Sequence, residues 1–169
     1  PKISLLRKIR KIEGIKKVFV ASGIRYDLVM ADQKSGKKYL QELIKYHISG
    51  QLKIAPEHSE DQVLTLMGKS NDYMDLVEFK TCFDRMNRQT GQKQFLTYYF
   101  IAAHPGCQEA DMMQLKQILK RELHIYPEQV QIFIPLPSTW SGIMYYSGRN
   151  PFNGEPIFVE KKTKNKERQ

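Results

Sequence analysis

Ile3, Leu6, Ile9 and Ile12 recur every third residue with Lys and Arg between them, the pattern of an amphipathic helix that Gly14 ends. Lys17–Ser22 (KVFVAS) is short, β-branched and apolar, and reads as a strand broken by Gly23. Tyr39–Ile48 has apolar residues at 40, 43, 44 and 48, which predicts a helix stopped by Gly50; Gln51–Ala55 (QLKIA) predicts a second strand ended by Pro56. Ser59 and Gln62 have the spacing of a capping box for the helix that follows. Asp72–Gln89 predicts a long helix with Leu76, Phe79, Phe83 and Met86 on one stripe. Gln94–Ala103 (QFLTYYFIAA) is apolar nearly throughout, as expected of a parallel strand buried on both faces. Glu109–Leu123 follows as a helix with Met112, Leu115, Ile118 or Leu119, and Leu123 inward. Val130–Pro135 predicts a fourth strand, Thr139–Tyr146 a short helix, and Ile157–Val159 a last small strand.

Strands separated by helices of this length imply βαβ crossovers, hence an α/β fold with parallel βα units. Right-handed crossovers bring the strands' C-terminal ends to one rim, where ligands bind in parallel α/β folds. The ends read Ser22-Gly-Ile-Arg25, Ala55-Pro-Glu57-His58, Ala102-Ala-His104-Pro-Gly106 and Ile134-Pro135-Leu-Pro137. Each polar residue also has a plain structural explanation. Arg25 suits a surface ion pair, Glu57 suits the positive end of a helix dipole, and His104 suits a turn. The pair Tyr98-Tyr99 lies inside a strand and reads as core. His104 and Cys107 have H-x-x-C spacing, but two ligands do not close a structural zinc site. No G-x-S-x-G, H-E-x-x-H, Walker A or G-x-G-x-x-G motif occurs.

The net charge of +9 invites a nucleic-acid reading, and its distribution argues against one for the body of the chain. Residues 1–17 hold seven Lys/Arg against Glu13, and residues 160–169 hold five against Glu160 and Glu167. The remaining residues carry 15 basic and 15 acidic side chains and are neutral. Two cysteines, Cys82 and Cys107, make no disulfide framework and no CxxC, so a reduced, cytoplasmic setting is expected. No apolar run reaches membrane-spanning length, and no secretory signal is recognisable. A start at Pro1 without Met points to an excised or processed piece.

Three stretches carry a family resemblance. Gln51-Leu-Lys-Ile-Ala-Pro-Glu-His-Ser-Glu-Asp-Gln-Val-Leu-Thr-Leu-Met-Gly-Lys69 resembles the radical S-adenosylmethionine (radical SAM) segment in which a strand runs into a helix closing in V-L-x-x-M-G/R. Phe100-Ile-Ala-Ala-His-Pro-Gly-Cys-Gln-Glu-Ala-Asp-Met112 is similar to that superfamily's G-F-P-G-E-T-E-E-D signature, and Ile134-Pro-Leu-Pro-Ser-Thr-Trp140 to its final strand and P-x-T loop. The wording is nearest to the YgiQ-type radical family of Fe-S oxidoreductases.

The resemblance implies a fragment, about four strands, of a partial TIM-like radical SAM barrel over residues 1–159, followed by a basic flexible tail at 160–169. It implies a parent enzyme holding a [4Fe-4S] cluster on a C-x-x-x-C-x-x-C loop and S-adenosylmethionine on the fourth iron. That loop is absent here, so this chain alone is expected to hold no metal and to be inactive; the missing N-terminal part of the parent is the implied partner. Ser22, Arg25, Glu57, His58 and His104 become candidates to face cofactor or substrate, with the backbone at Ala102 and Pro135 beside the adenine. The pattern departs at His104, where related families have an apolar residue, and at Cys107, where they have Glu; Glu109 is the substitute acid. The rival reading is a non-enzymatic module that holds nucleic acid or an acidic partner through its basic ends.

Overall fold

The computed structural model describes residues 2–21, 23–69, 73–127 and 129–169. The order is α1 (Lys2–Ile9), α2 (Tyr26–Ala31), α3 (Gly36–Tyr46), β1 (Gln51–Glu57), α4 (Asp61–Leu66), α5 (Met74–Thr90), β2 (Phe95–Ala102), α6 (Glu109–Ile118), β3 (Gln129–Ile132), α7 (Trp140–Ser147) and α8 (Thr163–Lys166), with a π-helical turn at Leu119–Leu123 after α6. The chain divides into two compact units, residues 1–55 with 74–98, and residues 56–73 with 99–169. The sheet order is β1-β2-β3, and β2 pairs with β3 in parallel, Phe100 opposite Val130 and Ala102 opposite Ile132.

In the first unit α2, α3 and α5 pack on one another. Leu40, Leu43 and Ile44 of α3 are fully buried with Phe79 and Phe83 of α5, and Tyr26 tilts against Phe79 at 5.8 Å between ring centres. These are the positions that the periodicities of residues 39–48 and 72–89 turn inward. Helix α1 is half-buried along Ile3, Leu6 and Ile9, in phase with its sequence stripe, but no residue in it is fully buried. Arg7 tethers it instead, donating from Nε and Nη2 to Glu42 Oε2 at 3.0 and 2.7 Å. Arg10 lies over the Tyr46 ring, 3.7 Å from its centre. This guanidinium pair holds the buried Glu42 carboxyl below its ordinary pKa, Arg7 contributing most.

The second unit buries Val63 and Leu64 of α4, Phe100 and Ala102 of β2, and Met112, Leu115, Leu119 and Leu123 of α6 and its π-turn. Thr139 caps α7, its Oγ accepting from the Gly142 N–H at 3.0 Å.

Four expectations need correction. Lys17–Ser22 is no strand over its described residues: Val20 donates to the His47 carbonyl and Ile24 forms a lone parallel bridge to Ile54, so no regular ladder develops, and Phe19 stays 46% exposed. Among the described residues the sheet therefore has three strands. Strand β2 is not buried on both faces; Tyr98, Phe100 and Ala102 are buried and alternate with partly exposed residues. Ser59 caps nothing, because α4 starts at Asp61; its hydroxyl donates to Glu60 Oε1, and the Gln62 side chain turns to Asp111 Oδ1 at 3.3 Å. Ile157–Val159 forms no strand: among the described residues the β-bridge nearby is the antiparallel Arg149–Pro156, and the segment itself makes single backbone bonds to Gly148 and Gly106. Helix α2, whose six residues are too short for a periodic signature, is an element the pattern did not reveal.

Within the segment 160–169, α8 is present, and Lys166 donates to the Tyr145 hydroxyl at 3.0 Å while lying over its ring. Among the described residues no helix is long and apolar enough to cross a membrane.

Candidate functional site

The strand-end candidates fall into both units. Arg25 belongs to the first, where its Nε donates to Asp27 Oδ1 at 2.8 Å and its Nη2 also meets that carboxylate. The pair holds Asp27 below its ordinary pKa, with the hydrogen bond from Arg25 the largest cause. Ser22 lies outside the described residues. Glu57, His58, Ala102, His104 and Pro135 belong to the second unit.

In that unit Glu57 sits at φ 71, a left-handed conformation that swings the chain out of β1, and its Oε1 meets Lys69 Nζ at 2.8 Å. His58 follows and is 1% exposed. The Glu60 backbone N–H donates to His58 Nδ1 at 3.0 Å, and this is the hydrogen bond that starts the turn into α4. An accepting Nδ1 places the ring proton on Nε2. Nε2–H therefore points its proton at the Cys107 Sγ, 3.5 Å away. The thiol accepts rather than gives; its own weak donor reaches toward the Gln108 carbonyl and the Gln169 side-chain oxygen at 3.7 and 3.9 Å.

Cys107 reaches this position through His104-Pro105-Gly106-Cys107. The Cys107 N–H donates to the His104 carbonyl at 2.8 Å across the four residues, with Gly106 at φ 89. Proline second and a positive-φ glycine third are the demands of a type II turn. The Gly106 N–H donates to the Phe158 carbonyl at 2.7 Å, which pins the turn. His104 itself is 3% exposed and has the opposite tautomer to His58. Its Nδ1–H donates to the Pro105 carbonyl at 2.8 Å, so Nε2 accepts the Ser141 hydroxyl proton, also at 2.8 Å. The Phe133 ring stands edge-on to it, 5.0 Å between centres.

Burial sets the electrostatics. It lowers the pKa of His58 to about 4, with Asp111 opposing and His104 adding to the fall. It lowers His104 to about 4 against the pull of the Pro105 carbonyl. It pushes the Cys107 thiol up to about 12. At neutral pH all three are uncharged. A Cys–His nucleophile needs a thiolate and a base free to take its proton; here the thiol is protonated and the imidazole nitrogen facing it already carries hydrogen. The cluster locks two strand-end loops in place and is not a thiol active site. Among the described residues no group of three His, Cys, Asp or Glu is placed to hold a metal.

The sequence brought His58 into view as a strand-end residue and His104 with Cys107 as an H-x-x-C pair. It missed Ser141, which sits one residue inside α7, and the His58–Cys107 contact. The P-G dipeptide was the available signal, since a type II turn at that point folds Cys107 back.

No family model matches the chain. It is 56% identical over 167 residues to a UPF0313 protein of Fusobacterium nucleatum subsp. nucleatum, a match covering 99% of this chain and 29% of that relative. A UPF0313 protein of Bacteroides thetaiotaomicron is 43% identical over 172 residues, covering 98% of this chain and 27% of the relative. One of Methanocella arvoryzae is 44% identical over 160 residues, with 94% and 26% covered. The chain is thus similar, over nearly all its residues, to one segment of UPF0313 proteins, and it spans between about a quarter and 29% of their length.

Proposed function

We propose that this chain is the later βα portion of a radical SAM enzyme, and that it supplies strand-end scaffolding to a longer protein whose other segments bring cluster and cofactor. The observation that carries the reading is where the three family-like stretches fall. Residues 51–69 cover β1 and α4, residues 100–112 run from the end of β2 into α6, and residues 134–140 lead from beyond β3 into α7. Each is a strand-to-helix junction of the kind that faces ligand in parallel α/β folds.

The residues present do not fit the iron–sulfur cluster. Cys82 is buried on α5 in the first unit and Cys107 is engaged by His58 in the second, so no three thiolates come together among the described residues. The chain's own part is positional. Its two neutral histidines fix the loops after β1 and β2.

The rival reading through the basic ends is weakened by what the first of them does: Arg7 and Arg10 are committed to Glu42 and Tyr46. The test is an iron and sulfide count after anaerobic reconstitution of a full-length relative beside this chain. About four irons per full-length chain are expected, with none on this chain. A full-length relative that takes up no cluster sinks the proposal.

A further inference from the structure

A cavity of about 500 Å³ lies in the second unit. Its floor is Ala102 of β2 with Val130 and Ile132 of β3, and the last two pair in register with Phe100 and Ala102, so they share one face. Leu115 and Leu119 form the wall. The π-helical turn makes room for this space: from Leu119 the helix widens, His124 closes it in a left-handed conformation at φ 52, and the chain swings away through Ile125 and Tyr126. Such turns recur at functional sites.

The rim carries charge of mainly one sign. Lys116 and Lys120 stand one helical turn apart, Lys166 approaches from α8, and among the described lining residues Glu167 carries the one side-chain carboxylate. No ion pair among the described residues engages any of the three lysines. Lys166 is positioned by Tyr145, through its hydroxyl at 3.0 Å and its ring at 4.5 Å.

From these features we propose a binding site for an anionic amphiphile: an unbranched acyl-like body on the apolar floor, with one carboxylate or phosphate held by Lys116, Lys120 and Lys166. The volume lies within the roughly 300–1,000 Å³ of small-molecule pockets. An apolar interior with a few polar groups placed to orient the ligand is their usual chemistry. The inference does not rest on the radical-enzyme reading, since the lysines that carry it have no part in that reading.

The experiment is calorimetric titration of the whole 169-residue chain with dodecanoate below its micelle concentration, with dodecyltrimethylammonium of equal chain length as the charge control. The expected result is one dodecanoate per chain, bound at least roughly tenfold more tightly than the cation and weakening as salt is raised. Dodecyl phosphate should match dodecanoate. The surface double variant Lys116→Glu/Lys120→Glu should lose roughly tenfold in dodecanoate affinity or more, and Val130→Trp, which fills the floor, should abolish binding while the circular dichroism spectrum is unchanged. Equal binding of the cationic probe, or dodecanoate affinity unaltered in the double lysine variant, overturns the proposal. Those two arms decide it even if Val130→Trp does not fold.

Discussion

Acid should destabilise the second unit as the pH falls below the ordinary histidine range, because unfolding frees two buried histidines to take up protons. His58 and His104 are 1% and 3% exposed, and each has its pKa lowered from the ordinary 6.5 to about 4. The unfolded chain therefore binds more protons than the native one between those values, and stability falls as pH drops through that window. At about 1.4 kcal/mol per pKa unit, each histidine withdraws about 3 kcal/mol between pH 6.5 and 4, and about 2 kcal/mol of that is gone by pH 5. Together they remove about 4 kcal/mol by pH 5, a large share of the 5–15 kcal/mol that holds a typical domain. Glu42 and Asp27, whose pKa values are lowered, withdraw their contribution only below the ordinary carboxylate range. Glu60, raised by burial, works the other way as pH falls and offsets a fraction of the loss. Urea unfolding at about pH 7, 6 and 5, followed by near-UV circular dichroism, measures the effect. His104→Gln removes one of the two groups, so the loss between pH 7 and 5 should shrink from about 4 to about 2 kcal/mol. A stability that is flat from pH 7 to 5, or a slope unchanged in His104→Gln, would refute the reasoning.

Cys107 should resist thiol reagents in the folded chain, reacting at least roughly a hundredfold more slowly than in urea; prompt labelling of the native thiol would mean that His58 does not bury it as described. Ser141→Ala leaves His104 Nε2 without its donor and should cost about 1 kcal/mol in a urea melt, less if water enters; a stabilised variant would contradict the contact. Glu42→Gln removes the anchor of α1, and trypsin should then cut within residues 1–17 several-fold faster while the rest of the chain keeps its native pattern. Gly142→Ala would press a methyl group onto the Leu136 carbonyl oxygen at the start of α7 and should destabilise by about 1–3 kcal/mol, read by thermal melting.

The pattern of side chains by itself determined the local elements that have length and period on their side. Residues 39–48, 72–89 and 109–123 announce α3, α5 and α6 because each repeats an apolar position over several turns; Gln51–Ala55 announces β1 by alternating polar and apolar residues ahead of Pro56, and Gln94–Ala103 announces β2 by its aromatic, apolar run. The parallel arrangement followed from their alternation. What the pattern could not decide depends on partners distant in the chain. Lys17–Ser22 has strand composition, yet a strand exists only where a neighbour completes its ladder, and its described residues gain the bond from Val20 to the His47 carbonyl but no bridge. Ser59 has a capping residue's chemistry, but the helix begins two residues later, and the side chain that accepts a backbone N–H there is His58, from Glu60. Likewise His104 and Cys107 looked like half a metal site at H-x-x-C spacing; the fold gives the thiol to His58, 49 residues away, and the imidazole to Ser141, 37 residues away. Which nitrogen carries a proton is fixed by those partners, and burial fixes the charge. Local periodicity therefore wrote the elements, while the roles of the polar side chains were decided where the tertiary structure chose their hydrogen-bond partners and excluded water.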